Sequence, residues 1–402
     1  MKKNSFICIL FFIMLFSFTG RAEKIGISGF HTGDLPSKIQ WYIDWANEHP
    51  KIDLSTHWSF CGAFKKTTDF IDSLTAKKAK YSVFQINTMY VDWEAGKSTG
   101  LMTDLSSSHV LSSFVDGMYP SLQSLAYKDN QLVGIPCNLL PDSSSGISVV
   151  MENWNEAGFA IEDIPSSFVE FLDFLDKWCS YCEENSQMEY TILGAMMFHH
   201  YSATSYTSWL TSLYINQYFN QCIMFDEDID FSLDSSINII NTIKDIGDRL
   251  YLFDPAPSAK KYLINTSWNL YEIESSIPCR ITTDYPMAIP VHAEILYIPS
   301  NTAKQGNAML FAEHYINHII NSIFSHDAKD DEREFARSKS LLLTSDNNSE
   351  LYAQLSNSFV LSHWDYSLES SKVVKRAIQK FAAGEIDALS LAQIINSNVH
   401  SN

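Results

Sequence analysis

KIGISGF (24–30), LPSKIQWYIDWANEHP (35–50), IDLSTHW (52–58), FKKTTDFIDSL (64–74) and YSVFQI (81–86) follow one another near the start of the chain. They alternate between two hydrophobic patterns. The first, third and fifth are short apolar or alternating runs, the form strands take. In the second, Ile39, Tyr42, Ile43 and Ala46 recur at helical spacing until Pro50 stops the pattern, and the fourth reads as another helix. Strand, helix, strand, helix, strand is a βαβ series. It folds into a right-handed, mostly parallel sheet covered on both faces, and such sheets bind ligands beyond the carboxyl ends of their strands.

A second α/β series follows: 146–151 is strand-like, 165–178 helical, 190–198 strand-like, and 206–219 an aromatic-rich helix. Three more helices are expected at 308–323, 373–381 and 390–395. VGIP at 133–136 and YPMAIP at 285–290 read as extended, proline-stiffened crossings between two lobes. The expected fold class is therefore α/β with two lobes, each a mostly parallel sheet flanked by helices, joined by two or three crossings. The expected division puts 23–135 and 286–325 in an N-terminal lobe, and 136–285 and 326–402 in a C-terminal lobe.

Residues 1–22 read as a secretory signal peptide. Met1-Lys2-Lys3 is basic, 6–18 is a mostly apolar run, and Gly20-Arg21-Ala22 supplies small residues at the cleavage site. The run is too short for the roughly 20 residues of a spanning helix. Cys8 sits inside it rather than after it, so lipid anchoring is not expected. An exported, soluble chain beginning near Glu23 is. Its 25 basic residues face 47 acidic ones, a poor surface for nucleic acid, whose phosphates need clustered Lys and Arg. Roughly 380 residues exceed one ordinary core and agree with two domains.

The remaining cysteines, Cys61, Cys137, Cys179, Cys182, Cys222 and Cys279, are too sparse for a disulfide-stapled fold. Cys179 and Cys182 have CxxC spacing but no second pair to complete a zinc site, and buried or incidentally paired thiols are the expectation. His199-His200 point to opposite sides of a strand and do not share one metal. DEDID at 226–230 lacks the turn glycine and terminal glutamate of a calcium loop, with Phe231 and Ile237 in their places, and reads as a solvated loop. No cofactor is expected. Neither a Gly-x-Ser-x-Gly elbow, a phosphate loop nor HExxH occurs.

Six short motifs stand in a suggestive order: GLMTDL (100–105), YKDNQLVGIP (127–136), VVMENWNEAGF (149–159), IPSSFVEF (164–171), SNTA (300–303) leading into MLFA (309–312), and FAAGEIDALSLA (381–392). Together, behind a signal peptide, they resemble the extracellular solute-binding proteins of carbohydrate ABC importers, the group that includes maltodextrin-binding proteins. Trp154-Asn155 stand where that family usually has Lys-Asp, and Phe168 where it often has Trp. The resemblance implies a type II periplasmic-binding-protein fold. It also implies a non-catalytic receptor whose lobes hinge at 135–138 and 287–290, close on a small ligand, most simply a sugar, and dock on a membrane permease as a monomer.

A sugar offers apolar C–H faces and a rim of hydroxyls, so its receptor needs aromatic platforms and paired hydrogen-bonding side chains. The ends of the first three strands provide Phe30, His31, Asp34, Trp58, Gln85, Asn87, Tyr90 and Trp93. The first crossing adds Asn138, and the second series adds His199, Tyr201 and Trp209. By resemblance, Trp268 in NTSWNL (265–270) and Trp364 in SHWDY (362–366) are stacking platforms. Trp41, Trp45 and Trp178, on amphipathic helices, are expected to pack in the core. Two other readings remain open: a polyamine or metal-ion receptor on the same scaffold, and an exported glycoside-acting enzyme.

Overall fold

The computed structural model describes residues 23–30, 40–59, 62–141, 146–185, 189–193, 203–253, 261–265, 276–277, 279–324, 359–361 and 368–399. In chain order the elements are β1 Glu23–Phe30, α1 Gln40–Glu48, β2 Ile52–Trp58, α2 Thr67–Thr75, β3 Val83–Asn87, α3 Trp93–Ser98, α4 His109–Asp116 and α5 Pro120–Ala126. Next come β4 Tyr127–Lys128, β5 Gln131–Leu132, β6 Ile135–Pro141, β7 Ile147–Val149, α6 Met151–Glu156, α7 Phe168–Glu184, β8 Tyr190–Leu193, α8 Ala203–Phe225 and α9 Asp234–Phe253. The last are β9 Lys261–Asn265, β10 Ser276–Ile277, β11 Ile289–Tyr297, α10 Gln305–Phe324, β12 Phe359–Leu361, α11 Leu368–Ala382 and α12 Ala388–Val399.

The chain divides into two compact units. The first comprises Met1–Val115, Ala126–Ile135 and Ile295–Ala328; the second comprises Asp116–Leu125, Pro136–Glu294 and Lys329–Asn402. In the first unit β1 lies between β2 and β3 and runs parallel to both, with Ile25 opposite Leu54 and Ile27 opposite Val83. β3 is buried along its whole length, as a strand covered on both faces must be. β2 is an edge strand and alternates between half-buried and exposed residues. β11 is the neighbour on the other side of β3 and carries the chain across the unit boundary, where Ile289–Val291 pairs in parallel with β12.

Helix α2 begins at Thr67, three residues later than the hydrophobic pattern suggests. Lys66 is extended (φ −148°, ψ 141°), and Phe64 lies outside the helix with its ring against Phe70 and Phe84. A single ring pointing inward satisfies a helical and an irregular reading equally well, and packing decided between them. Trp41 and Trp45 of α1 are buried, as expected. Trp41 meets Phe311 and Tyr315 of α10 edge-on, at centroid separations of 5.8 and 5.4 Å.

The second unit's sheet has the order β10-β7-β9-β8. β8 and β9 are parallel, and the two long helices α8 and α9 lie between them in the chain. β7 is antiparallel to both β9 and β10, so the sheet is mixed rather than mostly parallel. Hydrophobic pattern reveals a strand but not its direction, which only the neighbour it pairs with decides. Helix α7 is capped by Ser167, whose Oγ accepts from Glu170 N at 3.2 Å, while Ser166 N and Oγ donate back to the Glu170 carboxylate at 2.8 and 2.5 Å. These hydrogen bonds, with the nearby Arg280 charge, hold the Glu170 carboxyl below its ordinary range.

Helix α8 is the centre of the second unit and packs on α9, α11 and β12. Around it Tyr206, Leu210, Leu213 and Tyr214 are buried beside Thr207, Thr211, Gln217 and Asn220. Gly247 of α9 crosses so close to it that a Cβ there would stand 2.8 Å from Thr207 N. Of the two expected states, buried or paired, Cys137, Cys179, Cys182, Cys222 and Cys279 take the first, as free buried thiols; Cys61 lies outside the described residues. Burial pushes the Cys222 thiol to about 11 and the Tyr218 hydroxyl to about 12. The 226–230 segment is tied down rather than simply solvated: the Asp230 carboxylate accepts from Ser232 N, Ser232 Oγ and, at 2.8 Å, from Asn396 Nδ2 of α12.

Candidate functional site

The first unit's candidates gather at the carboxyl ends of β1, β2 and β3. Gly29, with φ at +91°, makes this possible: a Cβ at that point would stand 2.0 Å from the Gln85 carbonyl oxygen. That oxygen instead accepts from Ala63 N at 2.8 Å, which draws the 62–63 segment onto the end of β3. The β1–β2 register shifts between Ser28 and Phe30, and Phe30 is thereby turned inward.

Phe30 is not a ligand platform. It is 1% exposed, with Trp41, Phe311 and Tyr315 around its ring at 5.8, 5.7 and 5.1 Å. Trp93 is likewise a core residue. Its ring stacks on Phe70 at 6.2 Å and meets Tyr297 at 6.0 Å, while Gly134 passes so near that an added Cβ would lie 2.5 Å from the indole. Both residues stand at strand ends, where a cleft residue and a core residue look the same in sequence. The register shift between Ser28 and Phe30, and the cap that Asp92 Oδ1 makes to Ala95 N at 3.0 Å, turn them inward.

The remaining first-unit candidates are more open or more polar. Asn87 is buried, and its Oδ1 accepts from Met89 N at 2.8 Å, shaping the turn that leaves Met89 and Tyr90 exposed at 50% and 37%. Gln85 is also buried, one turn of the pleat earlier. Trp58 is half-buried and lies beside Trp41 and Tyr42 at 6.0 and 6.5 Å. Tyr90 thus presents a ring to solvent with an amide anchoring its loop, an arrangement suited to the apolar face of a small polar molecule.

In the second unit Asn138 Nδ2 donates to Glu294 Oε2 at 3.0 Å, and Cys137 Sγ donates to the Glu294 carbonyl at 3.2 Å. Sequence reading missed Glu294. A signal was there: it is the one carboxylate in the strand IPVHAEILY, which apart from His292 is otherwise apolar. Trp209 of α8 is half-buried and meets Phe171 edge-on at 6.2 Å. His31, Asp34, His199, Tyr201, Trp268 and Trp364 lie outside the described residues.

No protein-family model matches the chain, and no curated protein matches it in sequence. Solved structures do match in three dimensions. A family 1 extracellular solute-binding protein from Bifidobacterium longum subsp. infantis is 13% identical, with a TM-score of 0.55 over 95% of this chain and 100% of that one. A putative binding protein, MsmE, from Bacillus subtilis in an open conformation reaches 0.59 at 12% identity, over 94% and 96%. An ABC-transporter solute-binding protein from Agrobacterium vitis with bound D-mannitol reaches 0.54 at 11% identity, over 94% and 97%. Among the described residues no helix is long and apolar enough to cross a membrane. Over nearly its whole length, then, this chain has the fold of the extracellular solute-binding proteins, the two-unit α/β architecture of the type II periplasmic binding proteins.

Proposed function

We propose that the chain is the solute-binding receptor of an ABC importer, exported by residues 1–22, that captures a sugar, oligosaccharide or polyol and delivers it to a membrane permease as a monomer. The observation that carries this reading is the end-to-end likeness to binding proteins, one of them holding D-mannitol. That likeness agrees with the acidic surface and with the six motifs in order. The candidate ligand contacts are Trp58, Gln85, Asn87, Tyr90, Asn138 and Trp209 among the described residues, with His31, Asp34, His199, Tyr201, Trp268 and Trp364 from sequence. Phe30 and Trp93 are set aside as packing residues. The receptor reading assigns no catalytic step to any of these groups.

The test is a thermal-shift and calorimetric screen of the chain from Glu23 against monosaccharides, oligosaccharides and polyols, with polyamines as a separate arm. A ligand at a hundred times its dissociation constant stabilises by about 2.7 kcal/mol, a clear rise in melting temperature. Trp268→Ala and Trp364→Ala are expected to weaken that ligand about tenfold, or roughly 1.4 kcal/mol, while leaving ligand-free melting unchanged. A response to polyamines alone, or sustained product release from a labelled oligosaccharide, overturns the reading.

A further inference from the structure

The contact between the end of α1 and the middle of α10, inside the first unit, brings together Glu48, His49 and His314. One ligand-type atom from each lies within 4.8 Å of the others. His314 Nε2 is 2.8 Å from the carbonyl oxygen of Trp41. A carbonyl only accepts, so Nε2 carries the hydrogen and donates it. The remaining nitrogen, Nδ1, then faces Glu48 Oε2 at 3.1 Å. In the neutral ring that places two lone-pair acceptors against each other, and either a proton or a cation must lie between them. The second histidine adds an independent sign: His49 Nδ1 is buried and has no hydrogen-bond partner.

We propose that Glu48, His49 and His314 bind a divalent transition-metal ion, with zinc the best fit. Two imidazoles and one carboxylate suit zinc and exclude calcium and magnesium, which take oxygen ligands. Ligand atoms about 2.0–2.1 Å from a tetrahedral zinc stand roughly 3.3 Å apart, close to the 3.1 Å between His314 Nδ1 and Glu48 Oε2. The outer contact of His314 is the kind a metal-bound histidine uses. The Nε2–H of His314 is fixed by the Trp41 carbonyl. The His49 ring is held in place by stacking on Trp45 at 4.1 Å with an interplanar angle of 21°. Trp45 is itself anchored, its Nε1 donating to the Ile52 carbonyl at 3.1 Å. His314 is 10% exposed at its side chain and Glu48 61%, so the carboxylate side is open and a water completes the tetrahedron. The ion would fasten α1 to α10 behind the β1–β2 edge, independently of any sugar.

The probe is zinc chloride alone, titrated calorimetrically into EDTA-stripped and dialysed protein, with cobalt(II) substitution followed by visible absorption. One equivalent is expected to bind and raise the melting temperature, with cobalt spectra typical of tetrahedral nitrogen and oxygen ligands. His314→Gln, whose amide retains a donor for the Trp41 carbonyl, and Glu48→Gln are each expected to bind zinc at least tenfold more weakly. Their metal-free melting temperatures should stay near that of the parent, which separates lost ligation from lost folding. Absence of saturable binding, or affinity unchanged in both variants, overturns the proposal and leaves a proton-bridged His314–Glu48 pair. A thiolate charge-transfer band in the cobalt form also overturns it, by placing the ion on cysteines.

Discussion

In the first unit, aromatic rings fill the space between a sheet and its helices. Phe30 of β1 meets Trp41 of α1 and Phe311 and Tyr315 of α10, and Trp93, Phe70, Phe84 and Tyr297 form a second group. In the second unit the centre is a helix enclosed on several sides, and α8 buries polar side chains along with apolar ones. Two of those polar groups are answered inside the unit: Thr211 Oγ1 donates to the Thr207 carbonyl at 2.7 Å, and Gln221 Oε1 accepts from Ile281 N at 3.1 Å. A sheet-and-helix core can be built from large rings because each surface has one wet side or a flat partner. A central helix has no wet side, so some of its polar positions must be satisfied internally.

The comparison breaks most visibly at Trp93. Replacement by Ala is expected to cost about 4 kcal/mol, because both faces of the indole are covered and the hole cannot close without moving Tyr297 and Phe70. Scanning calorimetry checks it; a Trp93→Ala protein that melts normally but loses ligand affinity would return Trp93 to the binding site. The matching test in the second unit is Gly247→Ala. Its methyl group would meet the Thr207 hydroxyl at 2.2 Å and, behind it, the Thr207 backbone nitrogen at 2.8 Å, which cannot swing aside, and a loss of about 2 kcal/mol is expected from the forced separation of α8 and α9. Equal tolerance of Ala there and at an exposed helix position would mean that α8 is less tightly enclosed than described.

A smaller effect sharpens the picture of how the second unit's helices start. Ser167→Ala removes the cap of α7 and should cost about 1 kcal/mol in urea titration. Glu170, whose carboxyl is held low chiefly by the Ser166 hydroxyl, makes the same turn sensitive to acid. Its stabilisation is present above the ordinary carboxylate range and is lost as pH falls through the lowered value, since protonation then favours the unfolded chain. Glu170→Gln should therefore flatten the acid side of the stability profile and leave the alkaline side unchanged.

Much of the first unit was legible. β1 and β2 fall where alternation and β-branching place them, and Trp41 and Trp45, like Trp178 in the second unit, are buried because each lies on the apolar stripe of an amphipathic helix. α9 was not read, although its apolar stripe is regular: Ile240, Ile243, Ile246 and Leu250 are buried at three- and four-residue spacing. The extent of α8 was harder, since residues of both kinds are buried around it and no face stands out. The candidate site divides in the same way. Asn87 and Tyr90 end on a solvent-facing turn, whereas Phe30 and Trp93, chosen by the same strand-end rule, point into the core.

Sequence alone determined that the chain is α/β and roughly where β1, α1, β2, β3 and α10 of the first unit run, because periodicity and composition act over short distances. Only tertiary structure decided the direction of β7, the inward turn of Phe30 after Gly29, the pairing of Asn138 with Glu294, and the meeting of Glu48, His49 and His314. Each of these depends on which distant segment lies alongside. The last joins residues 48 and 314 across 266 positions, and no local pattern in a chain records a neighbour brought up by packing.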